Sequence, residues 1–194
     1  MRRRKRSRGR TLRPWRTLAR RERFAAPPWI FLSVETVRLP SGRVIRDYHR
    51  IRLPEYAVVV AVTRDGRLIL QRQYRHGVGS VSLFLPGGMV EKGEPPLRAA
   101  RRELEEETGY AASRWRRLGS FVPNSNYGCG RAHLFLARGA RRVTAPDSGD
   151  LEEMEIVLLR PAQVRSRLRR GGVASLSAAA ALAIAFDHMR DGLA

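Results

Sequence analysis

Apolar and polar positions along the chain predict a series of strands separated by a few helices. Residues 56–63 form a nearly continuous apolar run, which is typical of a strand buried on both faces. Residues 67–74 alternate between polar and apolar side chains, as a strand with one buried face does. The complete set of predicted strands is 31–39, 43–53, 56–63, 67–74, 81–85, 115–122, 132–138 and 154–159.

Three helices are predicted among these strands. The first begins at Pro95-Pro96 and ends before Gly109, because proline suits the first turn of a helix and glycine suits the position just past its end. The other two are predicted from Pro161 to Gly171-Gly172 and from Ser175 or Ser177, as the N-cap, to Met189.

This order of elements predicts an α/β fold, a sandwich with helices packed on the faces of a mixed sheet. The strands at 31–39 and 43–53 are joined by a turn at Pro40-Ser41-Gly42, so they form an antiparallel hairpin ahead of the main domain. The predicted organisation is a basic, disordered tail (1–23), an N-terminal β extension (24–54) and a catalytic domain (55–194).

The charge is unevenly distributed along the chain. The formal net charge is +20, and residues 2–23 hold twelve basic residues against one acid, Glu22. A basic arm of this kind can bind nucleic acid or an anionic surface. It lacks the interleaved aromatic residues and the fold signature of a specific reader, so a disordered, solvated tail is the favoured interpretation.

Cysteine content and hydropathy bear on location. A single cysteine, Cys129, excludes an internal disulfide and fits a reducing compartment. No apolar segment follows the N-terminal arginines as in a secretory signal, and the small-apolar run 178–186 is far too short to span a bilayer. The chain is therefore expected to be soluble and cytoplasmic.

Three glutamates share one face of the first predicted helix. Glu103, Glu106 and Glu107 stand at i, i+3 and i+4, whereas Glu105 lies on the far side. Their mutual repulsion weakens the helix, and a hard divalent cation with a preference for oxygen ligands would relieve it. The alternative is an acidic helix face exposed to solvent.

The spacing around these glutamates favours the metal site. Gly88 is followed after five residues by Glu94 and after seven more by Arg102-Glu103-Leu104; Glu106-Glu107 and Gly109-Tyr110 complete the pattern. The stretch from Gly88 to Tyr110 resembles the Nudix box, the signature of the Nudix hydrolases, with every defining position filled. The resemblance implies the Nudix α/β/α sandwich and hydrolysis of a nucleoside diphosphate linked to another group.

The same resemblance implies roles for residues of the box. Mg²⁺, for which Mn²⁺ can substitute, would be bound by Glu103, Glu106, Glu107 and the carbonyl of Gly87. Gly88 would permit an unusual backbone conformation beside the metals. Arg102 would hold the glutamates in place, or form an ordinary i,i+4 pair with Glu106. Glu94 would cap the helix and position the preceding loop.

The resemblance extends to the branch of the family that hydrolyses ADP-ribose and other nucleotide sugars. In that branch the general base is a glutamate on a loop before the last strand, and here Glu153 is favoured over Glu152. The alternative for each is a loop charge exposed to solvent. The N-terminal hairpin would help to build a homodimer.

Three residues outside the box are candidates for substrate binding. The resemblance implies that Arg75 reaches the substrate phosphates, and a solvated strand end is the alternative. Pro123, fourteen residues after Gly109, resembles a marker of the ADP-ribose branch, or is an ordinary loop proline. Trp29 could stack on a base or pack in a dimer interface.

The leading hypothesis is therefore a Mg²⁺-dependent pyrophosphatase that splits ADP-ribose or a related nucleotide sugar into a nucleoside monophosphate and a sugar phosphate. A nucleoside triphosphate or capped-RNA hydrolase is a second enzymatic hypothesis. An inactive Nudix module that senses a nucleotide is a third, and the intact carboxylates argue against it.

Overall fold

The computed structural model describes residues 12–147 and 153–191. The chain divides into two compact units, Met1–Arg52 and Leu53–Ala194. The N-terminal unit is an antiparallel sheet of three strands in the order β1-β2-β3. The strands are β1 (Arg16–Ala26), β2 (Ile30–Arg38) and β3 (Val44–Arg52), and the last two confirm the predicted hairpin.

Strand β1 corrects the predicted tail. Residues 16–23 are the first eight residues of a paired strand, with Arg16 opposite Arg38 and Arg21 opposite Val34. The N–H and C=O groups of β2 provide hydrogen-bonding partners that the local sequence cannot reveal, and exposed arginine side chains do not oppose a strand. The prediction of a disordered tail is therefore wrong over residues 16–23, and residues 1–11 lie outside the described residues.

The C-terminal unit is built on one mixed sheet of seven strands. The strands are β4 (Tyr56–Thr63), β5 (Leu68–Arg75), β6 (Ser80–Phe84), β7 (Tyr110–Ala111), β8 (Arg114–Phe121), β9 (Ala132–Arg142) and β10 (Met154–Leu159). Five of them follow the order β10-β5-β4-β9-β7, with β6 beside β5 and β8 beside β9. Strands β4 and β9 are parallel, and the other neighbours are antiparallel.

Helices cover both faces of this sheet, which confirms the predicted sandwich. The helices are α1 (Pro96–Thr108), α2 (Pro161–Arg169) and α3 (Leu176–Asp191). Alternate residues of β4 face opposite layers: Val59 belongs to the same core cluster as Leu104 of α1, and Val60 to the same cluster as Leu182 of α3. Both cores therefore include β4, which is buried from Ala57 to Thr63. None of the helices within the described residues is long and apolar enough to cross a membrane.

The ends of α1 follow the local sequence. Pro95 precedes the helix in an extended conformation and Pro96 is its first residue. Gly109 ends it in the left-handed region at φ 72°, where its N–H donates to the carbonyl of Glu105 at 2.7 Å. A Cβ at Gly109 would lie 2.3 Å from the carbonyl oxygen of Thr144, so packing also requires glycine there.

Two elements differ from the prediction, and one alternative is resolved. Strand β9 continues to Arg142, because the short strand β7, which the sequence did not predict, pairs with its end. The N-cap of α3 is Ser175, whose Oγ accepts from the N–H of Ala178 at 3.4 Å. Ser177 instead hydrogen-bonds the hydroxyl of Tyr56 at 2.6 Å.

Candidate active site

The three predicted glutamates of α1 differ in how far they are exposed to solvent. Glu107 is buried, with 5% of its surface exposed. The side chain of Glu103 is 13% exposed, and that of Glu106 is 47% exposed. One helix face therefore presents carboxylates in three different environments.

Glu107 is fixed to the turn that precedes the helix. Its Oε2 accepts from the backbone N–H of Gly87 at 2.8 Å and from Nε2 of Gln71 at 2.9 Å. Gly87 has φ 151°, and a Cβ there would lie 2.1 Å from the carbonyl oxygen of Ala57. The turn can approach β4 this closely because the residue is glycine, and the approach brings the Gly87 backbone to Glu107.

Glu103 lies against the next residue of the same turn. A Cβ on Gly88 would be 2.5 Å from Oε1 of Glu103, so the absence of a side chain makes room for the carboxylate. The prediction that Gly88 takes an unusual backbone conformation is wrong, because the positive φ belongs to Gly87. Gly88 is needed for the close approach of a carboxylate.

Arg102 links the carboxylates of the box. Its Nη1 donates to Oε1 of Glu103 at 2.8 Å and to Oε2 of Glu106 at 3.0 Å. Its Nη2 donates to Oε2 of Glu94 at 3.1 Å and to the carbonyl of Met89 at 3.0 Å. The i,i+4 pair with Glu106 and the positioning of Glu103 both occur. The hydrogen bond that Arg102 donates to Glu94 raises the pKa of Arg102 above its already high ordinary value.

Glu94 positions the loop and does not cap the helix. The N-cap residue is Pro95, and α1 has no side-chain cap. The Glu94 carboxylate is directed to Arg102 and accepts from the N–H of Glu91 at 3.1 Å. The hydrogen bond from Arg102 is the main reason why the pKa of Glu94 lies below its ordinary value.

The charge and donor types of this cluster fit a divalent cation. The carboxylates of Glu94, Glu103 and Glu106 share one guanidinium, and the Glu107 carboxylate lies nearby on the same helix. Oxygen donors carrying this much negative charge suit a hard ion. Among residues 12–147 and 153–191, however, no three His, Cys, Asp or Glu side chains converge as a ready ligand group.

Gln71 is a site residue that the sequence reasoning missed. It is 1% exposed and donates to Glu107 from strand β5. A signal was present, because Ile69, Gln71, Gln73 and Arg75 recur with period two and so share one face of β5. Ile69 packs in the core beneath α1, so the glutamines continue a buried face toward the glutamates.

Arg75 lies at the end of the same face. In the amide orientation that satisfies Gln73, its oxygen accepts from Nε and Nη2 of Arg75 at 3.2 and 3.1 Å. The guanidinium lies 5.9 Å from the centre of the Phe84 ring. Arg75 is therefore on the same side of the sheet as the box glutamates, and its contact with substrate phosphates stays a prediction.

Glu153 lies directly before β10. It borders a groove of about 570 Å³ whose lining includes Arg72, Tyr74 and Glu155, and also Gln73 from the face that carries Gln71. Glu155 pairs with Arg72 at 2.8 Å, and both belong to the face of the sheet opposite Gln71. Within the described residues no hydrogen bond or ion pair joins Glu153 to the box glutamates. Its role as base stays a prediction, and Glu152 lies outside the described residues.

The other two substrate candidates lie in separate parts of the chain. Pro123 is half-buried just after β8, at the start of a loop in which Oδ1 of Asn124 accepts from the N–H groups of Asn126 and Tyr127. Trp29 lies in the turn between β1 and β2 of the N-terminal unit, and 64% of its surface is exposed. Their roles in binding substrate stay predictions.

Comparison with known proteins decides the family. The NUDIX domain model matches residues 53–176, which is more than half of the chain. The chain belongs to the Nudix family. One Nudix relative, the ADP-ribose pyrophosphatase of Mycobacterium tuberculosis, is 31% identical over 158 residues, which cover 79% of this chain and 75% of that protein.

Two further proteins are similar over different spans. The ADP-ribose pyrophosphatase of Bacillus subtilis is 35% identical over 122 residues, which cover 63% of this chain. The match spans 65% of the Bacillus protein, just under two thirds of its length. A crystal structure of an ADP compounds hydrolase superposes with a TM-score of 0.82 at 22% identity, covering 94% of this chain and 97% of that chain, and so shares the Nudix fold.

Proposed function

We propose that this Nudix protein hydrolyses the diphosphate bond of ADP-ribose or a related nucleotide sugar. The products are a nucleoside monophosphate and a sugar phosphate. The observation that carries the proposal is the arrangement around the turn before α1, where Glu107 is hydrogen-bonded to Gly87 and Glu103 lies against Gly88. The names of the Mycobacterium and Bacillus relatives, both ADP-ribose pyrophosphatases, support this substrate class.

The residues around this turn would hold Mg²⁺, or Mn²⁺ in its place. The ligands proposed are the carbonyl of Gly87 and the carboxylates of Glu103, Glu106 and Glu107. When bound, the ion supplies charge neutralisation at the substrate diphosphate and polarises the attacked phosphorus. Arg102 fixes the directions of Glu103 and Glu106, because its Nη1 donates to both.

The remaining steps need groups outside the helix. A water oxygen bonds to one phosphorus of the diphosphate, the bridging P–O bond breaks, and the leaving phosphate departs with the bridging oxygen. The proton of that water passes to a carboxylate, for which we propose Glu153 with Glu152 as the alternative. Arg75 would bind a phosphate oxygen, Trp29 would stack on the base, and Pro123 would shape the loop beside the substrate.

We further propose that the protein works as a homodimer in the cytoplasm. The supporting observation for a dimer is the exposed Trp29 in the turn between β1 and β2. A single cysteine, which is half-buried and unpaired, suits a reducing compartment. Light scattering on a sizing column would measure the mass, and a monomer at micromolar concentration would contradict the first part.

A substrate panel tests the activity. The full chain is incubated with ADP-ribose, other nucleotide sugars, nucleoside triphosphates and capped RNA, each with Mg²⁺ or with a chelator. We expect AMP and ribose 5-phosphate from ADP-ribose, only when Mg²⁺ is present. Turnover restricted to triphosphates or capped RNA would support the second enzymatic hypothesis, and nucleotide binding without turnover would support the sensing module.

A further inference from the structure

The N-terminal unit concentrates the positive charge of the molecule. Residues 1–52 contain 17 basic and three acidic residues, so they carry +14 of the net +20 in about a quarter of the chain. The larger unit carries only +6. An arginine-rich composition throughout the protein does not explain this difference. The placement of the arginines in the N-terminal sheet shows what the charge could bind.

One face of this sheet forms a basic groove. The groove has a volume of about 350 Å³ and is lined by Arg20, Arg21, Arg23, Arg46 and the small residues between them. Arg21 is paired with Val34 across β1 and β2, and Ala19 with Thr36, so these residues share a face. Arginines from β1 and β3 therefore border a shallow channel whose floor is uncharged.

Most of this charge is not neutralised within the protein. Arg20 is paired with the buried carboxylate of Glu35 at 2.7 Å. No carboxylate among residues 12–147 and 153–191 pairs with Arg21, Arg23 or Arg46, and all three are exposed. Three clustered guanidinium groups repel one another, and a polyanion would relieve that repulsion while accepting bidentate hydrogen bonds.

An aromatic residue lies on the same face. Phe24 is paired with Leu32, two residues from Val34 on β2, and is 53% exposed. A basic groove beside an exposed aromatic ring is the arrangement that binds single strands, because the ring stacks on a base while the arginines contact the backbone. A duplex has no unstacked base to offer.

We propose that the groove lined by Arg21, Arg23 and Arg46, together with Phe24 on the same face of the sheet, binds single-stranded nucleic acid. The proposal is independent of the hydrolytic function, because none of the residues that carry it has a role in the proposed reaction. It also replaces the expectation of a solvated tail for residues 16–23. The basic residues of 1–11 would add charge to the interaction without determining where on the sheet it occurs.

Fluorescence anisotropy of a labelled 20-nucleotide oligouridine with the full chain, titrated across a range of KCl, tests the proposal. Each phosphate neutralised contributes about −0.7 to the log–log salt slope for a single strand. The magnitude of the slope should therefore fall by about 2 in the triple variant Arg21→Gln, Arg23→Gln, Arg46→Gln. A control variant removes the same charge from exposed positions of the larger unit and should leave the slope unchanged: Arg114→Gln, Arg116→Gln, Arg141→Gln.

A second variant tests whether the ring of Phe24 stacks on a base. Phe24→Leu keeps an apolar side chain on the sheet and should weaken binding roughly tenfold with an unchanged salt slope. An equal decrease of the salt slope in both triple variants would overturn the proposal. Equal affinity of the full chain for a duplex of the same length, or for vesicles containing anionic lipid, would also overturn it. A change of oligomeric state in the groove variant alone would show that a second copy covers this face. Hydrolysis of ADP-ribose should be unchanged in all three variants, so failure here leaves the proposed function standing.

Discussion

Gln71 donates its side-chain amide to Glu107 at 2.9 Å, and both residues are almost completely buried between β5 and α1. The same oxygen of Glu107 accepts the N–H of Gly87. A charged carboxylate at this depth needs such donors, because burial without them costs several kcal/mol. The pair therefore joins the central sheet to the candidate metal site.

Replacing Gln71 with methionine should destabilise the protein and weaken metal binding. Methionine has a similar shape but offers no donor, so Glu107 loses one partner, at a cost of about 1.5–3 kcal/mol for a hydrogen bond to a charged group. Urea unfolding measures the first effect, and calorimetric Mg²⁺ titration measures the second. Arg169→Met, at an exposed position of α2, is the control. Unchanged stability and Mg²⁺ affinity in Gln71→Met would show that the contact does not hold Glu107.

The glutamates of α1 should differ in their importance for turnover according to the face that they occupy. Glu106→Gln and Glu107→Gln should each lower turnover by several orders of magnitude, because each removes a negatively charged oxygen donor from the proposed Mg²⁺ site. Glu105→Gln, on the exposed far side, should retain activity. Steady-state kinetics at saturating Mg²⁺ checks this, and near-normal activity of Glu107→Gln would exclude it as a ligand.

The features of α1 could be predicted because they are local. Pro96 and Gly109 mark its ends within the sequence itself, and the glutamate spacing fixes which side chains share a face. The period-two pattern of β5 places Gln71 and Gln73 on one face, but the contact of Gln71 with Glu107 depends on packing between distant elements and cannot be predicted from that pattern. Strand β1 was missed for the same reason, since its arginines become a strand only beside β2.

The Arg102–Glu94 pair should make stability depend on pH. The folded pKa of Glu94 is lowered from its ordinary value of 4.5, so the unfolded state binds the proton more tightly. The carboxylate therefore stabilises the fold above pH 4.5, and this contribution is lost as the pH falls through the folded pKa. Glu94→Gln should be less stable than the parent protein at pH 7, and the difference should shrink in acid. Glu91→Gln, at an exposed position, is the control in urea unfolding. A difference that stays constant from pH 7 to pH 3 would rule out this linkage.

Arg20 should be the arginine of β1 that matters most for the stability of the N-terminal sheet. It pairs with Glu35, which is only 2% exposed, so Arg20→Gln leaves a buried carboxylate short of a partner. Because Arg20 itself is 61% exposed, solvent screens the pair and we expect a loss of about 1–2 kcal/mol. Arg16→Gln in the same strand should have little effect. Equal unfolding midpoints for the two variants would show that the pair contributes nothing.

Deletion of residues 1–23 removes eight of the eleven residues of β1 and should destabilise the unit more than either substitution.

The proposed reaction needs a general base, and the proposal that Glu153 is this base can be tested by substitution. Glu153 lies directly before β10, in a groove that Tyr74 and Gln73 also line. If Glu153 removes the proton from the attacking water, Glu153→Gln should reduce turnover strongly with little change in Mg²⁺ or substrate affinity. A lost base removes transition-state stabilisation, whereas a lost ligand also weakens metal binding.

The neighbouring substitution Glu152→Gln is the matched control and should have a much smaller effect. Raising the pH should partly rescue Glu153→Gln, because hydroxide then replaces water that needs a base. Full activity of Glu153→Gln together with an inactive Glu152→Gln would assign the role of general base to Glu152. Full activity of both variants and of the double variant would assign the base to a carboxylate of the box itself, where Glu106, exposed and held by Arg102, is the first to test.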